Sequence, residues 1–243
     1  MSEVEIPNHW ESPQQILVVL AHPDDPEFFC GGTIARWIEA GHLVSYCLLT
    51  CGDKGTGNRE LTPEELCVIR QNEQRSAAGV LGVDSVIFLN HPDGYLVPDL
   101  GLRKEITRVI RQKKPDVLVT CDPTNLYIRD SYINHPDHRA AGQATLDAVF
   151  PAARDHLNFV ELWRDEKLEP HIVREVWISL PLEANVSVDI TEYFELKLRA
   201  LNQHASQIGD PLQLEDRMRS RHTPDSNLDE PRYEEHFRRL VLG

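Results

Sequence analysis

Ile16–Ala21 reads ILVVLA and runs straight into His22-Pro23-Asp24-Asp25-Pro26-Glu27. Six apolar residues without alternation predict a strand buried on both faces, as in a parallel sheet covered by helices. Thr33–Ala40 continues with helical character and ends at Gly41, a natural C-cap. Leu43–Thr50 reads as a second strand, and Cys51–Arg59 as a glycine-rich loop. Thr62, Pro63 and Glu65 then form a capping box whose helix runs to about Leu81 and closes at Gly82. Ser85–Leu89 is a third strand, Leu102–Gln112 a helix, Asp116–Cys121 a fourth strand, Pro136–Val149 a helix. Ile172–Leu180 reads as a fifth strand and Thr191–His204 as an amphipathic helix. Strand–helix alternation of this kind predicts an α/β fold, a mostly parallel sheet with helices on both faces.

No internal repeat or linker divides the chain, so residues 1–243 read as a single domain with its core at about 16–207 and a polar C-terminal extension, 208–243. Within the tail, Ser206–Arg232 carries three prolines and is expected to be extended or loosely ordered. Glu230–Arg239 reads as a solvated helix face.

The chain has 25 basic and 39 acidic side chains, a formal charge of −14. That balance disfavours nucleic acid or an anionic membrane as the main partner and suits a neutral or cationic small molecule. No secretory signal or membrane span is legible, which points to the cytoplasm. The five cysteines, Cys30, Cys47, Cys51, Cys67 and Cys121, form no CxxC pair, and buried free thiols are expected.

In parallel sheets ligands bind beyond the C-terminal strand ends, where the strand order reverses. With the common order 3-2-1-4-5 that crevice lies between strands one and four. The two richest polar clusters come directly after those strands: Ala21–Glu27, and Asn134-His135-Pro136-Asp137-His138. Each alone also reads as a capped helix start. Together they offer two histidines and a carboxylate that suit a catalytic zinc with an open position. A spare carboxylate can take a proton from water, and a spare histidine can donate one where charge develops. Two histidines and a carboxylate also hold iron for oxygen chemistry, although usually on a β-barrel. Cys51–Gly57 lacks the spacing of a phosphate-binding loop. His204 reads as a packing histidine, with a place in the pocket wall as the second reading, and Gly31-Gly32 as a close helix–strand contact.

These paired motifs, AHPDDPE with Gly31-Gly32-Thr33 after it, and NHPDH, resemble the LmbE-like or PIG-L family of zinc deacetylases. The similarity extends to Arg70 within IRQNEQRSAAGVLG, to Asp93, and to KLRALNQHASQ (Lys197–Gln207). The resemblance implies a Rossmann-like three-layer sandwich and removal of an N-acetyl group from a small amino sugar. It implies zinc (Zn2+) on His22, Asp25 and His138, Asp24 as general base, His135 as electrostatic stabiliser and acid, and Asp137 to orient His135. Arg70 and Asp93 fall where relatives contact the sugar, and relatives assemble as homo-oligomers, trimers or hexamers. Some relatives carry a tyrosine where this chain has Ile133, which leaves Tyr132 as the neighbouring phenol. The rim loops Leu126–Ile133 and Asn158–Pro170 are expected to set substrate choice. Alternatives are a metal-dependent amidase acting on a thiol conjugate and a non-catalytic, metal-containing sugar-binding protein.

Overall fold

The computed structural model describes residues 10–128, 132–227 and 229–243. The opening run forms β1 (Gln15–Leu20), succeeded by α1 (Asp25–Glu39), β2 (Leu43–Thr50), α2 (Pro63–Leu81), β3 (Ser85–His91), α3 (Leu100–Lys113) and β4 (Val117–Cys121). A small hairpin, β5 (Tyr127–Ile128) with β6 (Tyr132–Ile133), precedes α4 (Pro136–Asp147) and α5 (Val160–Arg164). Then come β7 (Glu175–Ser179), β8 (Val186–Asp189), α6 (Phe194–Leu201), α7 (Ala205–Ile208), α8 (Pro211–Arg219) and β9 (Glu234–Val241).

The main sheet runs β3-β2-β1-β4-β7-β9-β8. Its first five strands pair parallel, in the order expected with β7 as the fifth. Alternate residues of β1 face opposite layers. Ile16, Val18 and Leu20 join one core with residues of α1, α2 and α6, and Leu17, Val19 and Ala21 join the other with residues of α3 and α4. That two-sided burial is why the strand shows no polar alternation. The capping box on α2 is complete: Thr62 Oγ1 accepts from the Glu65 amide and Glu65 Oε2 from the Thr62 amide, with Gly82 left-handed at the far end. Gly142 lets α4 lie against β4, since a Cβ there would stand 2.3 Å from the Cys121 carbonyl oxygen.

Four expectations fail. The tail after Ser206 is helical as far as Arg219, in α7 and α8, and Leu214 and Met218 of α8 sit in the core. Glu234–Val241 is a strand rather than a helix face, inserted antiparallel between β7 and β8. Its inward side chains include Glu235 and Phe237, and Glu235 is buried because Lys197 Nζ lies 2.6 Å away. Cys51 and Cys67 are joined in a disulfide with Cα atoms 5.1 Å apart, whereas Cys30, Cys47 and Cys121 are buried free thiols. The bond ties the loop after β2 to α2. The Gly31-Gly32 contact is not with a strand: a Cβ on Gly32 would meet Ile190, just past β8, at 2.6 Å, and one on Gly31 would meet Lys197 of α6 at 3.3 Å.

Candidate metal centre and active site

The two polar loops meet because β1 and β4 are neighbours in the sheet. His22 and Asp25 flank the turn from β1 into α1, and His135 caps α4 with His138 on its first turn. His138 Nε2 lies 3.1 Å from Asp25 Oδ1, and His22 Nδ1 lies 3.4 Å from Asp25 Oδ2. All three residues are buried. Their donor atoms fall within 4.8 Å of one another, close enough to hold one ion. Two ligand atoms each about 2 Å from a tetrahedral zinc stand roughly 3.3 Å apart, so the spacing fits.

The second neighbours of these side chains point the same way. Asn134 donates its amide to the Asn125 carbonyl, which turns its oxygen toward His138 Nδ1 at 2.9 Å. A proton held on Nδ1 leaves Nε2 bare and aimed at Asp25, the usual arrangement for a metal-binding imidazole. His22 Nε2 lies 3.1 Å from Asp93 and 3.4 Å from Asp137, yet makes no well-aligned hydrogen bond. A second group, His22, Asp93, His135 and Asp137, also gathers within ion-holding distance. It fits less well, because both oxygens of Asp137 already accept amides, from Gly94 at 2.7 Å and Leu96 at 3.2 Å.

Charge in the site is tightly arranged. Burial alone would raise the Asp25 carboxyl, but His138 and His22 outweigh it and hold the group ionised far below the usual range. Asp24 behaves oppositely: burial, reinforced by the Asp25 charge, lifts it to about 6 against the pull of Arg70. A carboxylate tuned to that range is suited to proton transfer near neutral pH. Burial likewise works to raise Asp93 and Asp137, but the adjoining His22 ring brings both below the ordinary value, helped at Asp137 by the Gly94 and Leu96 amides.

His135 is half-buried, its ring set edge-on to His22 with centroids 4.5 Å apart. Its Nδ1 accepts from the Asp137 main-chain amide at 3.2 Å, leaving Nε2 as the outward nitrogen. Burial and the neighbouring His22 lower its pKa. Asp137 therefore touches His135 through its backbone, while its carboxylate ties down the loop after β3. Arg70, expected at the sugar, is 4% exposed. It donates to the Gly52 carbonyl at 3.0 Å, the Pro23 carbonyl at 2.7 Å and Asp24 Oδ2 at 3.3 Å. Gly52 has φ +67 and no room for a Cβ, which would lie 2.1 Å from the guanidinium. Asp93 stands at the His22 face, its amide held by Asp53 at 2.7 Å. Tyr132 is 57% exposed on its hairpin, and Ile133 beside it is 81% exposed. Of the rim loop 126–133, residues 129–131 lie outside the described residues.

Sequence reasoning passed over Asn134, Gln74 and Glu27. The first carried a signal, since Asn134 stands four residues before His138. His204, read as a packing histidine, is fully buried and lies 3.1 Å from Glu27.

Among the described residues, no helix is long and apolar enough to cross a membrane. Residues 17–149 match the model of the family described as PIG-L, GlcNAc-PI de-N-acetylase. The chain is 36% identical over 194 residues to diacetylchitobiose deacetylase from Thermococcus kodakarensis, covering 80% of this chain and 70% of that one. It is 27% identical to a probable N-acetyl-alpha-D-glucosaminyl L-malate deacetylase from Bacillus anthracis, over 81% of this chain and 83% of that one. The solved structure of N,N'-diacetylchitobiose deacetylase from Pyrococcus horikoshii superposes with a TM-score of 0.85 at 30% identity, covering 97% of this chain and 86% of the other. On the family match, the sequence identity and the shared fold together, the chain belongs to the PIG-L, or LmbE-like, family of amide-hydrolysing deacetylases.

Proposed function

We propose that this chain is a zinc-dependent N-deacetylase that removes the acetyl group from N-acetylglucosamine-type sugars, small substrates such as diacetylchitobiose. The observation that carries the reading is the meeting of His22, Asp25 and His138 beside a part-buried carboxylate, Asp24, raised to about 6. In this reading His22, Asp25 and His138 hold the metal. A bound zinc ion would polarise the amide carbonyl and lower the pKa of an attacking water toward neutrality.

The protein's own groups do the rest. Asp24 takes the proton from the water, while Arg70 keeps the carboxylate directed at the crevice. His135, with Nδ1 occupied by the Asp137 amide, donates a hydrogen bond from Nε2 to the developing oxyanion, and the proton that Asp24 took from the water passes to the departing amine. Asp93 meets a sugar hydroxyl, and Arg70 acts on the substrate only through Asp24. A homo-oligomer working on a small neutral substrate in the cytoplasm is the setting we assign.

The test is amine release from N-acetylglucosamine and N,N'-diacetylchitobiose. Chelator should abolish it and added zinc restore it. Asp24→Asn should keep the metal and lower turnover by about 10²–10⁴-fold. Full turnover in Asp24→Asn with metal bound rules out Asp24 as the base, and sugar binding without acetate release rules out the deacetylase.

A further inference from the structure

Asp24 has φ +93 and ψ −27, a left-handed backbone at a residue that is not glycine. Such a conformation costs on the order of 1–3 kcal/mol and persists only where its surroundings hold it. The groups that hold it lie on the side away from the crevice. The Asp24 amide donates to Gln74 Oε1 at 2.9 Å. Gln74 Nε2 in turn donates to both oxygens of Glu27, at 2.9 and 3.1 Å. His204 Nε2 closes the chain on Glu27 Oε2 at 3.1 Å. Gln74, Glu27 and His204 are fully buried. The chain crosses three helical segments: Glu27 belongs to α1, Gln74 to α2, and His204 caps α7. Residues 205–208 are pinned separately, since Ser206 donates its amide and hydroxyl to Glu73, each at 2.7 Å.

A packing role does not explain this wiring. An apolar trio would fill the same space without burying a carboxylate, and burying one is unfavourable unless it is fully paired. Gln74 is the only member that reaches Asp24, and the amide it accepts fixes the backbone rather than the carboxylate. Arg70, one helical turn earlier on α2, holds the carboxylate itself. One face of α2 thus grips Asp24 at both ends.

We propose that Gln74 is a positioning residue for Asp24, kept in register by Glu27 and His204, and that this buried chain sets the direction of the Asp24 carboxylate. The inference rests on reading Asp24 as the base. Gln74→Leu cuts the chain at the Asp24 amide. Turnover of diacetylchitobiose should fall about 10²-fold, the loss expected for a reacting group displaced by an ångström. KM and metal content should stay within about twofold, and amide exchange across residues 22–28 should rise.

The decisive arm places Gln74→Leu in an Asp24→Asn background. A residue that works through Asp24 adds no further loss there, whereas one supporting the whole site multiplies it. Should Gln74→Leu fold poorly, a charge swap keeps the question open to measurement. Gln74→Glu alone sets two carboxylates face to face and should lose turnover; combined with Glu27→Gln it restores donor and acceptor and should recover it. A multiplicative loss in the Asp24→Asn background, or no recovery in the swap, overturns the proposal and leaves the deacetylase reading standing. Undiminished turnover of Asp24→Asn itself would instead remove the base that the chain is said to position.

Discussion

Two buried polar clusters sit on the same helix, and they differ in how much bonding capacity their atoms have left. In the middle of α1 the backbone departs from helical geometry at Cys30, and an ion pair occupies the break. Lys197 donates to the Phe28 carbonyl at 3.0 Å and to Glu235 at 2.6 Å, and Glu235 also accepts the Gly32 and Thr33 amides. Both oxygens of Glu235 are engaged. At the N-terminal end of α1, His22, Asp25, His138 and Asp93 are buried as well, yet His22 Nε2 finds no aligned partner and three carboxylates, Asp25, Asp93 and Asp137, crowd its ring. A saturated cluster has no capacity for a ligand. The open one has charge and lone pairs to spare, as a cation requires. Substitutions in the open cluster should therefore cost function, and those in the closed one stability.

The largest effect is expected at His138. His138→Ala removes one of three donors, so metal analysis should find the ion lost and turnover down by at least about 10³-fold, several kcal/mol of transition-state stabilisation. Urea unfolding of the metal-free protein should shift by only about 1 kcal/mol, as for residues kept for function over stability. A loss of several kcal/mol in the metal-free form would place the cluster among the structural ones and erase the contrast.

Lys197→Met should do the reverse. It strands Glu235 in the core, a change that typically costs about 3–5 kcal/mol. Turnover per folded molecule should stay near wild type, because Lys197 touches no residue of the crevice. Equal losses in stability and in turnover would mean that the break in α1 is transmitted to the metal end.

How far all this was legible depended on whether the signal was local. The parallel half of the sheet is dictated by apolar runs and helix caps, each decided within a few residues, and the capping box at Thr62 matches to the residue. The crevice was legible because the same chemistry occurs twice, after β1 and after β4. β9 was hidden: EEHFRRLV places Glu235 and Arg239 on inward positions that a periodicity reading scores as solvent-facing, and only Lys197 and Glu175, distant in sequence, supply the partners that hold them there. The Cys51–Cys67 bond escaped for the same reason, since no spacing rule brings residues 16 apart together. Gln74 had a faint signal, one turn after Arg70 on α2, but nothing in the sequence indicates that Asp24 is left-handed.

The smallest effect tests a third, fully engaged group. Glu175 accepts Arg239 through Nε and Nη2 at 2.8 Å each, and the indole nitrogens of Trp10 and Trp177 at 3.1 Å. Burial would raise its carboxyl, but these donors win, the Arg239 hydrogen bonds foremost, and bring it to about 2 against an ordinary 4.5. A carboxyl lowered on folding contributes stability that is whole above its unfolded value and drains away as pH falls through the folded one. The window is therefore pH 4.5 down to about 2. Between about pH 4.5 and 3.5 the wild type should lose about 1 kcal/mol more than Glu175→Gln, measured by urea unfolding, since the variant has no proton to take up at that position. Parallel slopes for the two proteins would show that Glu175 is not held low. Its four donors would then no longer mark a saturated group, and the rule separating closed clusters from open ones would lose its simplest case.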